Sequence, residues 1–265
     1  MRHSGAVTEH DAETTHPDRE NTHAQETSHA HHEQGHQHGA GGRPPVDRDA
    51  DVADTWNEFY RAGPRWSGKV NALLAHALPD APSTGLGDGP RPRALDLGCG
   101  LGADALWLAH RGWDATGVDV SQVAVDGCRA LAEEAFRTGE LPAGASVHFE
   151  QHDLNEDFPT GTYDLVTASF FHSMVRLDRE QILRRAWAAV APGGRLVLLS
   201  HATFPPFAGP PSDVVLPTAA QTLEALELPA DATWIATVEY ADQQLEGPDG
   251  ETGTRSDHLL VITRR

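Results

Sequence analysis

The residues of this sequence most able to bind or transform a ligand are two acids and a set of glycines at every second position. In "RALDLGCGLGADALWLA" (93–109), the glycines directly follow a short apolar run that contains Asp96. Glycine lets the backbone approach a ligand without a Cβ clash. Asp119 lies 21 positions beyond Gly98, close to the spacing at which a carboxylate binds ribose hydroxyls. The pattern predicts a site for a ligand that contains a nucleoside.

The glycines alone fit two ligands. Gly98, Gly100 and Ala103 match the G-x-G-x-x-G/A pattern of dinucleotide sites, so an NAD(P)-dependent oxidoreductase is one hypothesis. The D-x-G-x-G-x-G turn of proteins that bind S-adenosylmethionine is matched equally well by the stretch from Asp96 to Gly102. Asp96 would repel a pyrophosphate, whereas it suits the ammonium group of S-adenosylmethionine. The acid therefore favours the second ligand.

Further polar residues follow the later apolar runs. In "HDLNEDF", Asp153 could bind an adenine amino group while Leu154 packs on its ring. "SFFHS" places Ser169 and His172 after the next run, and His201 follows the one after that. Either histidine could act as a general base or position an acceptor. The predicted acceptor is a thiol, a metalloid oxyanion or a hydroxyl. A hydroxyl would need such a base, whereas a soft anion such as a thiolate, selenide or telluride would need positioning only.

The elements that must position these residues alternate between strands and helices. Buried parallel strands read as short apolar runs bounded by turn signals. Five such runs are predicted as strands: Ala94–Leu97, Ala115–Val118, Ser146–Glu150, Asp164–Ala168 and Arg195–Leu199. Two extended runs without a helix between them, Thr233–Ala241 and Arg255–Thr263, predict an antiparallel hairpin. The fold class is therefore α/β, a mostly parallel Rossmann-like sheet with a C-terminal antiparallel hairpin and helices on both faces.

Helix caps are also predicted from side-chain type. Ser121 is a predicted N-cap, and Asp178 with Gln181 resembles a capping box. Thr218 with Gln221 suggests another cap.

The first 50 residues differ in composition from the rest. They contain nine of the 16 histidines and almost no large apolar side chain, so they cannot offset the entropy of ordering. We predict a disordered, His-rich acidic tail over residues 1–50 and one folded domain over 51–265. Clustered histidines can bind transition metals, so a metal-binding or sequestering protein is a further hypothesis; the metal is unknown.

Composition excludes several classes of function. A formal net charge of −19 argues against nucleic acid as the substrate. No apolar run approaches the length of about 20 residues that spans a bilayer, and two cysteines make no disulfide framework. We predict a cytoplasmic monomer or weak dimer that acts on a small molecule.

Five motifs together resemble a known family. "LDLGCGLG", "GVDVS", "HDLNEDF", "YDLVTASFFHS" and "APGGRLVLL" occur in the order and spacing of class I S-adenosylmethionine-dependent methyltransferases. The nearer likeness is to the small-molecule branch with tellurite-resistance and thiopurine methyltransferases. The resemblance implies a seven-stranded sheet whose last strand is antiparallel. This sequence differs from part of the family at "SFFH", which is not the N/D-P-P-Y/F tetrad of amino-methylating enzymes.

The resemblance and the strand ends together give the predicted site. The predicted cofactor-binding residues are Asp96, Gly98, Cys99, Gly100, Gly102, Asp119, Val120, Asp153, Leu154 and Ser169. His172 is the predicted catalytic residue. "WNEFYRAGPRWSG" resembles the family's N-terminal lid, and the segment after the fifth strand is predicted to wall the acceptor pocket. The predicted acceptor contacts are Trp56, Tyr60, Trp66, His201 and Phe204.

Overall fold

The computed structural model describes residues 47, 49–63, 68–78, 91–208, 216–230 and 234–265. The strands are β1 Arg93–Leu97, β2 Asp114–Asp119, β3 Ser146–Gln151, β4 Tyr163–Ser169, β5 Val190–Thr203, β6 Trp234–Glu246 and β7 Thr252–Arg264. The helices are α1 Val52–Arg61, α2 Ala72–Ala77, α3 Ala103–His110, α4 Gln122–Thr138, α5 Arg179–Ala189 and α6 Ala219–Ala225, with a short 3₁₀ turn at Pro206–Ala208. Trp66 and nearly all of the predicted tail lie outside the described residues.

The seven strands form one sheet in the order β3-β2-β1-β4-β5-β7-β6. The first five strands pair in parallel, whereas β7 pairs antiparallel with both β5 and β6. The predicted fold class is confirmed, including the C-terminal hairpin. The order reverses between β1 and β4, and ligands of open α/β sheets bind beyond the carboxyl ends of the strands at such a point.

The core lies on both faces of the sheet. Along β1, Leu95 and Leu97 pack in one apolar cluster with helix α5, while Ala94 belongs to a second cluster that contains Leu108 of α3. All four side chains are fully buried. A strand covered on both faces needs apolar residues at successive positions, which is why β1 reads as a continuous apolar run around a single acid.

Two of the three predicted caps are present. Ser121 Oγ accepts a hydrogen bond from the amide of Ala124 at 3.2 Å, and Thr218 with Gln221 forms a complete capping box. The prediction of a capping box at Asp178 is wrong, because its side chain makes no cap bond to α5. Its carboxylate instead accepts a hydrogen bond from Arg176 Nη2 at 2.6 Å. The nearby guanidinium outcompetes the backbone amides.

Within the described part of the chain, no helix is long and apolar enough to cross a membrane.

Candidate functional site

A cavity of about 840 Å³ opens beyond the carboxyl ends of β1, β2, β4 and β5, under helix α1. Most of the predicted site residues line it: Trp56, Tyr60, Asp96, Gly98, Cys99, Gly100, Asp119, Val120, Asp153, Leu154, Ser169, His172 and His201. Residues more than 100 positions apart in sequence thus meet in one place.

Two predicted residues lie outside the cavity wall. Gly102 is the N-cap of α3 with φ of 76°, and a Cβ there would come within 2.9 Å of the Phe149 ring. Packing and backbone conformation therefore require this glycine. Phe204 packs edge-on against His201, with ring centroids 4.7 Å apart, so it supports the wall from behind.

The glycine turn after β1 is tightly constrained. Gly98 and Gly100 have φ of 64° and 55°, a region that side chains with a Cβ adopt at a cost. A Cβ on Gly98 would also approach Phe171 Cδ2 within 2.8 Å. The turn therefore presents bare backbone to the cavity.

Asp119, the last residue of β2, holds the glycine turn in place through a hydrogen bond. Its Oδ2 accepts a hydrogen bond from the amide of Gly100 at 3.0 Å, and its Oδ1 accepts one from the amide of Ser121 at 2.9 Å. Burial raises the pKa of the carboxyl, while these amide bonds act in the opposite direction. The carboxylate is thus held in one orientation at the cavity wall, with lone pairs left for a ligand.

Asp96 and Asp104 form an acidic floor. Asp96 Oδ1 accepts a hydrogen bond from Thr167 Oγ1 at 2.8 Å, and Asp104 Oδ2 accepts one from Ser169 Oγ at 2.8 Å. Burial raises the pKa of both carboxyls, and the charge of Asp104 raises that of Asp96 further. Two buried carboxylates satisfied by hydroxyl groups suit a cationic ligand, which would compensate their charge.

The opposite side of the cavity contains histidines and aromatic rings. Burial, then the charges of Arg179, His201 and His258, lower the pKa of His172 from its ordinary value to about 4. Its Nε2 is buried and has no hydrogen-bond partner among the described residues. His172 is therefore a neutral imidazole near pH 7, with one polar atom left for a ligand.

His201 stands in a different environment. Its Nδ1 lies 2.7 Å from Asp257 Oδ1, and Asp257 Oδ2 also accepts a hydrogen bond from Arg255 Nη2 at 3.2 Å. Phe170 stacks on the imidazole with centroids 4.3 Å apart. Phe170 has a φ of 51°, a strained conformation for a residue with a side chain.

Helix α1 attaches to both sides of the cavity. Trp56 Nε1 donates a hydrogen bond to Ser173 Oγ at 3.2 Å, and Asn57 Oδ1 accepts one from Ser121 Oγ at 2.8 Å. Burial, then the charge of Asp119, raises the pKa of the Tyr60 hydroxyl. The segment predicted as a lid thus forms part of the cavity wall.

Comparison with known proteins agrees with this geometry. A family model described as "Methyltransferase domain" matches residues 94–194, which include the glycine turn, Asp119 and His172. Residues 94–194 therefore form a methyltransferase domain of the class I, S-adenosylmethionine-dependent type. The matched stretch runs from β1 into the start of β5, so it includes both residues of the acidic floor, Asp96 on β1 and Asp104 on α3.

The relatives of this chain differ in what their names say they act on. Ribosomal RNA small subunit methyltransferase C of Chromohalobacter salexigens is 35% identical over 46% of this chain and 35% of its own length. Probable thiol methyltransferase 2 of Arabidopsis thaliana is 30% identical over 60% of this chain and 66% of its own length. The chain spans about a third to two thirds of the length of the curated relatives it matches.

A solved structure shares the fold of this chain. Magnesium protoporphyrin IX methyltransferase (ChlM) from Synechocystis PCC 6803 is similar with a TM-score of 0.54 and 19% identity, over 84% of this chain and 100% of that one.

Proposed function

We propose that this protein transfers the methyl group of S-adenosylmethionine to a small-molecule acceptor through a thiol or hydroxyl group. The observation that carries the proposal is the acidic floor beside the glycine turn, together with Asp119 in the cavity wall. Asp96, Asp104 and Asp119 are all buried, and their hydrogen bonds within the described residues come from hydroxyls and amides. A cofactor with an ammonium group and a ribose supplies the charge and the donors that these carboxylates lack.

Each side of the cofactor has a proposed partner. Asp96 attracts the ammonium group, and Asp119 accepts hydrogen bonds from the ribose hydroxyls. Asp153 and Leu154 receive the adenine, consistent with their place in the cavity wall. Cys99, Gly100, Val120 and Ser169 complete the wall around it. When bound, the cofactor supplies an electrophilic methyl group on a sulfonium.

The proposed acceptor is small and partly apolar. Phe170, Phe171, His172 and His201 line its side of the cavity, together with Trp56 from α1. The net charge of −19 disfavours a nucleic-acid acceptor. The free thiols of Cys99 and Cys128 support a reducing compartment such as the cytoplasm.

Calorimetric titration tests the cofactor. We expect S-adenosylhomocysteine to bind with a stoichiometry near one and NADH to show no binding at the same concentrations. The hypothesis of an NAD(P)-dependent oxidoreductase predicts the reverse. Binding of NADH without binding of S-adenosylhomocysteine would therefore contradict the proposed function.

A substitution at His172 tests its role. Because its pKa of about 4 leaves the imidazole neutral and weakly basic near pH 7, we expect His172→Ala to leave kcat within about threefold of wild type. Losing one neutral hydrogen bond of about 0.5–1.5 kcal/mol raises the acceptor KM by at most about tenfold. Initial rates of S-adenosylhomocysteine release measure both constants. If kcat instead falls by about two orders of magnitude or more while cofactor affinity is unchanged, proton removal belongs to His172.

A further inference from the structure

The pair formed by His201 and Asp257 joins the end of β5 to β7 at the acceptor side of the cavity. The two residues lie directly opposite each other in the antiparallel β5–β7 ladder, and His201 lines the cavity. We propose that His201, oriented by Asp257, is the general base that removes the proton of a protic acceptor. This inference rests on the proposed function and assigns a residue to its proton transfer.

Geometry fixes which ring nitrogen would act. An ionised carboxylate only accepts hydrogen bonds, so the 2.7 Å contact requires the proton of neutral His201 to sit on Nδ1. That leaves the lone pair of Nε2, which makes no hydrogen bond to any described residue, available for an acceptor. A base whose second nitrogen is held by an acid is the usual arrangement for activating a hydroxyl or thiol.

The ring is held in place from several sides. Phe170 stacks on one face at 4.3 Å, and Phe204 contacts the edge at 4.7 Å. Arg255 Nη2 bonds to the other oxygen of Asp257 and to Gln243 Oε1. The carboxylate is thus anchored from outside the pair, and its orientation does not depend on the acceptor.

The charged groups around His201 differ from those around His172. The carboxylate of Asp257 contacts the ring of His201, and Arg255 contacts the other oxygen of that carboxylate. His172, with centroids 6.5 Å away, and His258 are the other titratable groups nearby. His172 has no comparable acid among the described residues.

The proposed step balances without any further reagent. The proton of the acceptor S–H or O–H moves to His201 Nε2, and the electron pair left on sulfur or oxygen forms the new bond to the methyl carbon. The bond from that carbon to the sulfonium sulfur breaks, and its electron pair stays on sulfur, which gives S-adenosylhomocysteine. The imidazolium then releases its proton to solvent.

Two thiols that differ in ionisation test the step at pH 7. With 2-mercaptoethanol, which is largely protonated, we expect His201→Ala to lower kcat by about 10²–10⁴-fold. With 4-nitrothiophenol, which is largely ionised before it binds, the same change should cost less than about fivefold. Asp257→Asn should show the same selectivity with a smaller loss, because the amide can favour the wrong tautomer. S-adenosylhomocysteine release is the measured signal.

The matched control is His148→Ala. His148 also lies near an acid, with Nε2 3.7 Å from Asp114 Oδ1, but its side chain is 61% exposed and lies outside the cavity. We expect it to leave both rates unchanged. Calorimetry with S-adenosylhomocysteine should give the same affinity in wild type and all three variants.

A second measurement is independent of turnover. Long-range ¹H–¹⁵N NMR of the imidazole signals should show neutral His201 with its proton on Nδ1, and Asp257→Asn should change that signal. A proton on Nε2, or equal rate losses with both thiols, would contradict the role proposed for His201 and would leave the proposed function unaffected. If S-adenosylhomocysteine does not bind the wild-type protein, the proposed function itself is wrong, whatever the tautomer.

Discussion

Replacing Asp119 with alanine should lower the affinity for S-adenosylhomocysteine by about 100-fold or more. Two hydrogen bonds from ribose hydroxyls to the carboxylate are lost, at about 1.5–3 kcal/mol each. The bond from the amide of Gly100 is lost as well, so the glycine turn loses its support from β2. Calorimetric titration measures the change directly.

The control for this variant is Asp126→Ala. Asp126 lies on α4 with its side chain 63% exposed and paired with Arg129, and its removal should leave the affinity unchanged. Circular dichroism should show that Asp119→Ala remains folded, because the residue ends a strand and carries no apolar packing. Wild-type affinity in a folded Asp119→Ala protein would mean that the cofactor does not bind at this wall.

Asp96→Asn should have opposite effects on stability and on binding. Asparagine can still accept the hydrogen bond from Thr167 Oγ1, but it carries no charge to desolvate. We expect the free protein to gain about 0.5–2 kcal/mol of stability near pH 7.5, in the range of single stabilising substitutions, whose usual cost is lost function. Its affinity for S-adenosylhomocysteine should fall by about 10–100-fold, because the bond to the ammonium loses its charged acceptor.

The gain in stability of Asp96→Asn should depend on pH, and the direction of that dependence can be measured. Burial raises the pKa of Asp96 in the folded state, so the folded protein holds this proton more tightly than the unfolded chain does. Its contribution to stability is therefore present at low pH and is lost as pH rises through the folded-state pKa. Thermal unfolding should show the advantage of Asp96→Asn growing as the pH rises above about 4, the ordinary pKa of an aspartate carboxyl. A Tm difference that is equal at all pH values would contradict a charge-burial origin.

The acids at one end of the cavity could be placed from the sequence because they lie at strand ends. The carboxyl end of a parallel strand is marked in the sequence by the change from apolar residues to a turn. Asp96, Asp119 and Asp153 could therefore be assigned to strand ends from the pattern alone. The fold followed from the same alternation. Even the hairpin was predictable, because no helix-length pattern lies between its two strands.

The partner of His201 could not be predicted in the same way. Asp257 meets His201 across 56 positions of sequence, and their pairing depends on the register of an antiparallel ladder. Neither residue type nor spacing fixes that register when both strands are long. Asp104 was missed for another reason, since an acid in the first turn of a helix ordinarily indicates a favourable helix dipole.

The position of Asp257 has an evolutionary consequence. The family match ends at residue 194, so it contains Asp96, Asp104 and Asp119 but neither member of the His201–Asp257 pair. Under the proposed function, selection acting on the end of β5 and on β7 can therefore change the acceptor while the residues proposed to bind the methyl donor stay the same. Replacing the β6–β7 hairpin with that of a relative should change the acceptor preference and leave the cofactor affinity unchanged.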